Sequence, residues 1–166
     1  MIITIENIIK VGIAEANVVT PPKIIRTSGL GSCIGLVLYD SKKQIAGMVH
    51  VMLPESSLAR TEEINKCKYA DTGVEFLLES LLNYGAIKRN IQAKMAGGAE
   101  MFRFSSTNDT LRIGPRNVQA IKEKLQSHQI PLISEDCGGN SGRTIEFDPS
   151  TRKLMIKTVN KGVHYI

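Results

Sequence analysis

Cys33 and His50 are the residue types in this chain best suited to nucleophilic chemistry, and the segment between them reads as one β-hairpin. Ile34–Tyr39 is a continuous apolar, β-branched run, Gln44–Leu53 is another, and Asp40-Ser41-Lys42-Lys43 is a polar turn between them. Centring the turn between Ser41 and Lys42 sets Cys33 directly opposite His50. Side chains so placed share a face, with Cβ atoms roughly 4.5–5.5 Å apart. A thiol and an imidazole at that separation can exchange a proton, the minimum apparatus of a cysteine nucleophile. The inference depends on register, because a slip of one residue sends the two to opposite faces. A plainer reading of the same residues stays open: Cys33 as a small buried hydrophobe, and His50 as a core histidine bonded to a backbone carbonyl.

The elements around this pair supply the rest of a site. Thr27-Ser28-Gly29-Leu30-Gly31-Ser32 leads into Cys33. Gly29 and Gly31 allow positive φ or a close approach of backbone to a ligand, and such a turn can aim the N–H groups around Ser32 and Cys33 at one spot, as an oxyanion hole requires. His50 shares one strand face with Ala46, Met48 and Met52, so the imidazole needs a polar partner. The other candidates are weaker. Cys67 lies among lysines and reads as a surface residue, and Cys137 precedes a second Gly-rich turn. His128 ends a helix, and His164 lies in what reads as a tail. No phosphate loop, G-x-S-x-G elbow or C-x-x-C spacing occurs, so no metal site and no cofactor are expected.

The clearest helix runs from about Ala70 to Tyr84, where Val74, Leu77, Leu78, Leu81 and Leu82 follow the spacing of one buried face and Gly85 suits the residue after its end. Gly114-Pro115 opens a second helix with a Val118, Ile121, Leu125 stripe. Strands are expected at Ile2–Ile5, Val11–Val19, Gln92–Ala96, Pro131–Glu135, Thr144–Phe147 and Lys153–Thr158, and residues 54–68 read as a long surface loop. Many strands and two helices without regular alternation predict α/β layers of mixed sheets flanked by helices.

The bulk numbers bound the function. A chain of 166 residues with 42% hydrophobic content is expected to form a single domain over 1–166 with a real core. Its 21 Lys and Arg against 16 Asp and Glu give a net charge of +5, but they are scattered and aromatics are few, so nucleic-acid binding is not expected. No apolar stretch approaches the ~20 residues of a membrane span, and no signal-peptide pattern opens the chain. A cytoplasmic protein with reduced thiols, not embedded in a membrane, is the expectation.

Six segments, in order, resemble the CheD family of chemoreceptor glutamine deamidases: TSGLGSC (27–33), GMVHVMLP (47–54), YADTGVEFLL (69–78), KMAGGAEMF (94–102), IGPRNV (113–118) and GGNSGRTIEFDPSTRKL (138–154). The resemblance implies a catalytic set of Cys33, His50 and Thr27, and a layered α/β fold similar to bacterial toxin deamidases. It implies hydrolysis of glutamine side chains on the cytoplasmic helices of methyl-accepting chemotaxis receptors, and a CheC-type phosphatase as a further partner. On this footing Asn140 and Arg143 are candidates to hold the glutamine amide or a flanking acid, Gly31 and Ser32 to form the oxyanion site, and Met101 and Phe102 to form a partner surface. Two rivals remain at this point, a non-catalytic adaptor with the same fold and a thiol redox sensor using Cys33.

Overall fold

The computed structural model describes residues 5–101 and 112–166. Ten strands form two five-stranded sheets. The first sheet contains β1 (Ile8–Lys10), β3 (Ile24–Leu30), β8 (Arg143–Asp148), β9 (Lys153–Thr158) and β10 (Gly162–Tyr165), hydrogen-bonded in that order. The second has the order β2 (Ala16–Val19), β5 (Ile45–Val51), β4 (Ile34–Asp40), β6 (Ile91–Gly97), β7 (Leu132–Cys137). Both are mixed, with β1–β3 and β6–β7 parallel and the remaining pairs antiparallel.

Burial explains the layering. Every residue of β4 and β5 is buried, the signature of strands covered on both faces, and it accounts for their uninterrupted apolar sequence. One face meets the first sheet: Val37, Tyr39, Met48 and Ala96 pack against Ile25, Ile145, Phe147, Leu154 and Ile156. The other meets the helices, where Leu36, Leu38, Val49 and Val51 pack against Val74, Leu77, Leu78 and Leu81 of α1 (Ala70–Tyr84) and Ile121 and Leu125 of α2 (Ile113–Ser127). The order is sheet, sheet, helices, which is the predicted α/β layering. Helix α1 matches its expected bounds and ends at Gly85 in the left-handed region, φ 119°.

The hairpin differs from expectation by two residues. Gly35, not Cys33, stands opposite His50, and the loop is Ser41–Gln44. Asp40 causes the change by staying in the strand, paired with Ile45, while its carboxylate caps the turn. Oδ1 accepts from the N–H of Lys42 (2.8 Å) and of Lys43 (2.9 Å), and Gln44 closes the loop at φ 55°. Burial alone would raise the Asp40 carboxyl, but bonds from the N–H groups of Ile87, Lys42 and Lys43 outweigh it and hold the group below its ordinary value. A slip of two preserves parity, so Cys33 and His50 still share a face as diagonal neighbours.

Three further expectations change. Val11–Val19 is a strand only from Ala16, after a turn at Ile13–Ala14. Residues 162–165, read as a tail, form the edge strand β10. Cys67 is buried, held by the 3-10 turn Lys66–Lys68 that packs on α1. Of Ile2–Ile5 only residue 5, in a 3-10 turn, is described, and Phe102 lies outside the described residues.

Candidate active site

Thr27 comes from β3 in the first sheet and His50 from β5 in the second, and their side chains meet across the layer between the sheets. Thr27 Oγ1 lies 2.7 Å from His50 Nδ1 and donates to the Val11 carbonyl oxygen, also at 2.7 Å. Both side chains are buried. A threonine hydroxyl has one proton and the Val11 oxygen has none, so the proton in the Thr27–His50 contact belongs to Nδ1. The imidazole is thereby held as the Nδ1–H tautomer, with an unprotonated Nε2 that is buried and has no hydrogen-bond partner among the described residues. That nitrogen is the free acceptor of the imidazole.

Gly35 makes the meeting possible. A Cβ at this position would stand 2.5 Å from Ile145 Cδ1 and 3.2 Å from Thr27 Cγ2. Without a side chain opposite His50, β3 and β8 close down onto the imidazole. The register of β3 against β8 shifts between Thr27 and Leu30, where Gly29 takes φ 72°, and this bulge turns the chain toward Cys33. Of the two glycines singled out in the turn, Gly29 supplies the positive φ and Gly31 the close approach, since a Cβ there would lie 3.1 Å from Met101 Cγ.

Cys33 is half-buried, two residues before Gly35, and packs against the layer between the sheets. The backbone around it is bonded on one side. The carbonyls of Gly31, Ser32 and Cys33 accept, in turn, from Ala99 N–H at 2.9 Å, Asn117 Nδ2 at 3.0 Å and Gly98 N–H at 2.9 Å. The N–H groups of Ser32 and Cys33 bond no backbone carbonyl among the described residues, and that of Cys33 faces its own thiol. The three carbonyls of the turn are thus all bonded toward the 98–99 segment and α2. Gly97 and Gly98 allow the approach, with φ of 120° and 66°; a Cβ on Gly97 would stand 2.2 Å from the Cys33 carbonyl oxygen.

Burial sets the resting charge state. It pushes the Cys33 thiol up, with the residue's own N–H partly offsetting it, and pushes the His50 imidazole down. Both shifts favour the neutral pair. The other thiols are also raised, Cys67 by burial and then Glu15, and Cys137 by burial to about 12. A depressed thiol pKa therefore does not single out Cys33; of the three cysteines it is the one that packs against the layer between the sheets, where His50 meets Thr27.

The remaining candidates scatter. Arg143 is 7% exposed and turns inward, donating to the carbonyls of Gly97 (3.3 Å) and Gly138 (2.9 Å) and to Asp136 (3.3 Å). It props the two glycine turns beside Cys33 instead of reaching out to a ligand. Asn140 is exposed on the 138–142 turn, and Met101 is 47% exposed beside Gly31. His164 pairs with Asp136 at 2.9 Å and His128 with Glu75 at 3.7 Å.

Asn117 was passed over in the sequence. It is fully buried on α2, and its Nδ2 donates to the carbonyls of Ser32 (3.0 Å) and Met52 (2.9 Å). The signal was its spacing: Asn117 is in phase with Ile121 and Leu125, a polar residue on an apolar stripe.

Residues 52–158 match the family model described as CheD chemotactic sensory transduction. The chain is 60% identical over 157 residues to a chemoreceptor glutamine deamidase CheD of Bacillus licheniformis, covering 95% of this chain and 94% of the relative. It is 59% identical over 155 residues to that of Bacillus subtilis, covering 93% of each. The relative from Halalkalibacterium halodurans is 56% identical over 156 residues, covering 94% of this chain and 96% of its own. Among solved structures, the C-terminal domain of CNFy from Yersinia pseudotuberculosis aligns with a TM-score of 0.36 at 14% identity, over 95% of this chain and 54% of that one.

Proposed function

The chain belongs to the CheD family, and on that premise we propose that it is a cysteine-dependent deamidase. In this reading it converts glutamine side chains on the cytoplasmic helices of chemotaxis receptors to glutamate, acting in the cytoplasm. The observation that carries the reading is the Thr27–His50 bond, which leaves Nε2 unprotonated in the layer between the sheets against which the half-buried Cys33 packs.

The resting pair is neutral, because burial opposes each ion separately. As Cys33 Sγ attacks the carboxamide carbon, its proton passes to His50 Nε2 and the imidazolium keeps its Nδ1–H bond to Thr27. The N–H groups of Ser32 and Cys33 receive the developing oxyanion, a contribution of about 3–4 kcal/mol per well-placed donor in other hydrolases. His50 returns the proton to the departing nitrogen, ammonia leaves, and a thioester remains. Water, deprotonated by Nε2, hydrolyses the thioester to glutamate and restores the thiol. Each step moves one proton through one nitrogen and needs no cofactor.

The substrate helix reaches the thiol over Met101 and the 138–142 turn, where Asn140 is exposed to meet its amide or a flanking polar group. A CheC-type phosphatase would use the same approach. The decisive experiment is mass spectrometry of receptor cytoplasmic fragments incubated with wild type, Cys33→Ala and Cys33→Ser. Specific glutamines should become glutamates with wild type only. Appreciable conversion by Cys33→Ser would sink the thiol mechanism, since a hydroxyl is far harder to ionise.

A further inference from the structure

We propose that Asn117 is a positioning residue that fixes the peptide bond between Ser32 and Cys33, and with it the N–H that faces the reacting atoms. The proposal rests on Cys33 being the nucleophile and goes beyond the Cys33, His50 and Thr27 set.

The argument starts from the shape of a peptide. In a trans peptide the C=O and N–H point in opposite directions. Asn117 binds the Ser32 C=O from the α2 side at 3.0 Å. The N–H of Cys33, the other half of that peptide, therefore points away from α2, toward its own thiol, and that N–H lowers the thiol's pKa against the effect of burial. The same Nδ2 binds the Met52 carbonyl at 2.9 Å, two residues beyond His50 at the end of β5. One amide thus ties the peptide that carries the nucleophile to the strand that carries the base. Donation to the Ser32 oxygen also polarises the peptide and strengthens Cys33 N–H as a donor.

A structural role alone does not account for the residue type. Asn117 is fully buried, yet its Oδ1 has no partner among the described residues. A buried acceptor left unpaired is unfavourable, and a helix that only needed to pack would carry leucine here, as it does at Leu125. The amide is retained for its two donors. Gly114 brings it into reach: a Cβ there would stand 2.5 Å from the Ala99 carbonyl oxygen, so its absence lets the first turn of α2 abut the 98–99 segment that bonds the Cys33 turn.

The test reads the thiol directly. The rate of Cys33 alkylation by iodoacetamide is measured against pH, by mass spectrometry of its peptide, in wild type, Asn117→Leu, Asn117→Asp and Ile121→Val. The last variant loosens the same helix without touching the amide. With Asn117→Leu and Asn117→Asp the alkylation midpoint should rise by about half to one pH unit. Glutamine hydrolysis should lose about tenfold in kcat with KM within about twofold. Ile121→Val should lose stability and leave both readouts at wild type. A folded Asn117→Leu with the wild-type alkylation profile overturns the proposal, as does an equal shift in Ile121→Val. If neither Asn117 variant folds, nuclear magnetic resonance of the wild-type protein decides. The Asn117 amide protons should titrate at the Cys33 midpoint, and a flat response overturns the assignment. A shifted alkylation profile without glutamine hydrolysis in any variant supports the role of Asn117 and overturns the substrate reading instead.

Discussion

Each end of the layer between the two sheets buries a titratable side chain, and the two are treated in opposite ways. At one end His50 has Nδ1 bonded to Thr27 and Nε2 bonded to nothing described. At the other, Lys94 on β6 has 8% of its surface exposed and donates to the carbonyls of Arg152 (2.6 Å) and Ile166 (3.0 Å), with the Tyr39 ring 5.9 Å from Nζ. Lys94 spends its donors on chain segments that would otherwise leave carbonyls unbonded, and its charge does structural service. His50 is held by one atom and left reactive at the other. Burial lowers the pKa of both, so a perturbed pKa does not separate function from structure here. The count of satisfied atoms does.

Substitution at the two ends should break the comparison cleanly. His50→Leu should cost about 10³-fold or more in kcat while leaving thermal stability unchanged or raised, because a half-satisfied polar group is replaced by an apolar one. Lys94→Met should do the reverse, with activity within about twofold of wild type and a stability loss of about 1–3 kcal/mol in urea denaturation from two unpaired carbonyls. A Lys94→Met enzyme as inactive as His50→Leu would erase the distinction.

A smaller effect sharpens the His50 end. Thr27→Val keeps the shape and removes the hydroxyl, freeing the imidazole to adopt either tautomer. An about 10- to 100-fold loss in kcat is expected, the equivalent of one buried hydrogen bond, and Thr27→Ser should recover most of it. Full activity in a folded Thr27→Val protein would remove the tautomer argument.

The smallest effect is on stability. The His50 pKa is lowered in the folded chain from an ordinary 6.5, so below that pH the unfolded chain binds a proton that the folded chain refuses. The contribution to stability is fully present above pH 6.5 and is lost as pH falls toward the folded value. The melting temperature of wild type should therefore drop faster between pH 6.5 and 5 than that of His50→Leu. Parallel curves would show that His50 is not buried neutral.

How much of this was legible in the sequence depended on whether the signal was local. Helix α1 was placed to the residue because its apolar period and its terminal glycine lie in one window. Strand β9 was placed equally well. The hairpin strands were right and their register was not, since the loop is set by a carboxylate cap at Asp40 that no alternation pattern reports. Strand β10 escaped because it is four residues long and all of them are exposed, so no buried face marks it. The burial of Lys94 depends on carbonyls 58 and 72 residues away, and that of Cys67 on packing against α1. For the candidate site, the shared face of Cys33 and His50 was readable from strand parity even though the register was not. Thr27 was not: it lies in the other sheet, and only resemblance to a family pointed to it.

The Thr27–His50 bond spans two sheets that close at different ranges along the chain. Strands β4 and β5 are joined by a four-residue loop, whereas β3 pairs with β8, Thr27 standing beside Ile145. Contacts between distant segments carry the larger cost of loop closure and form late. Until β3 has docked, Nδ1 has no fixed acceptor and the imidazole beside Cys33 has no fixed tautomer. On the proposed mechanism, hydrolytic competence therefore depends on the pairing of β3 with β8, a contact between segments more than a hundred residues apart in the chain.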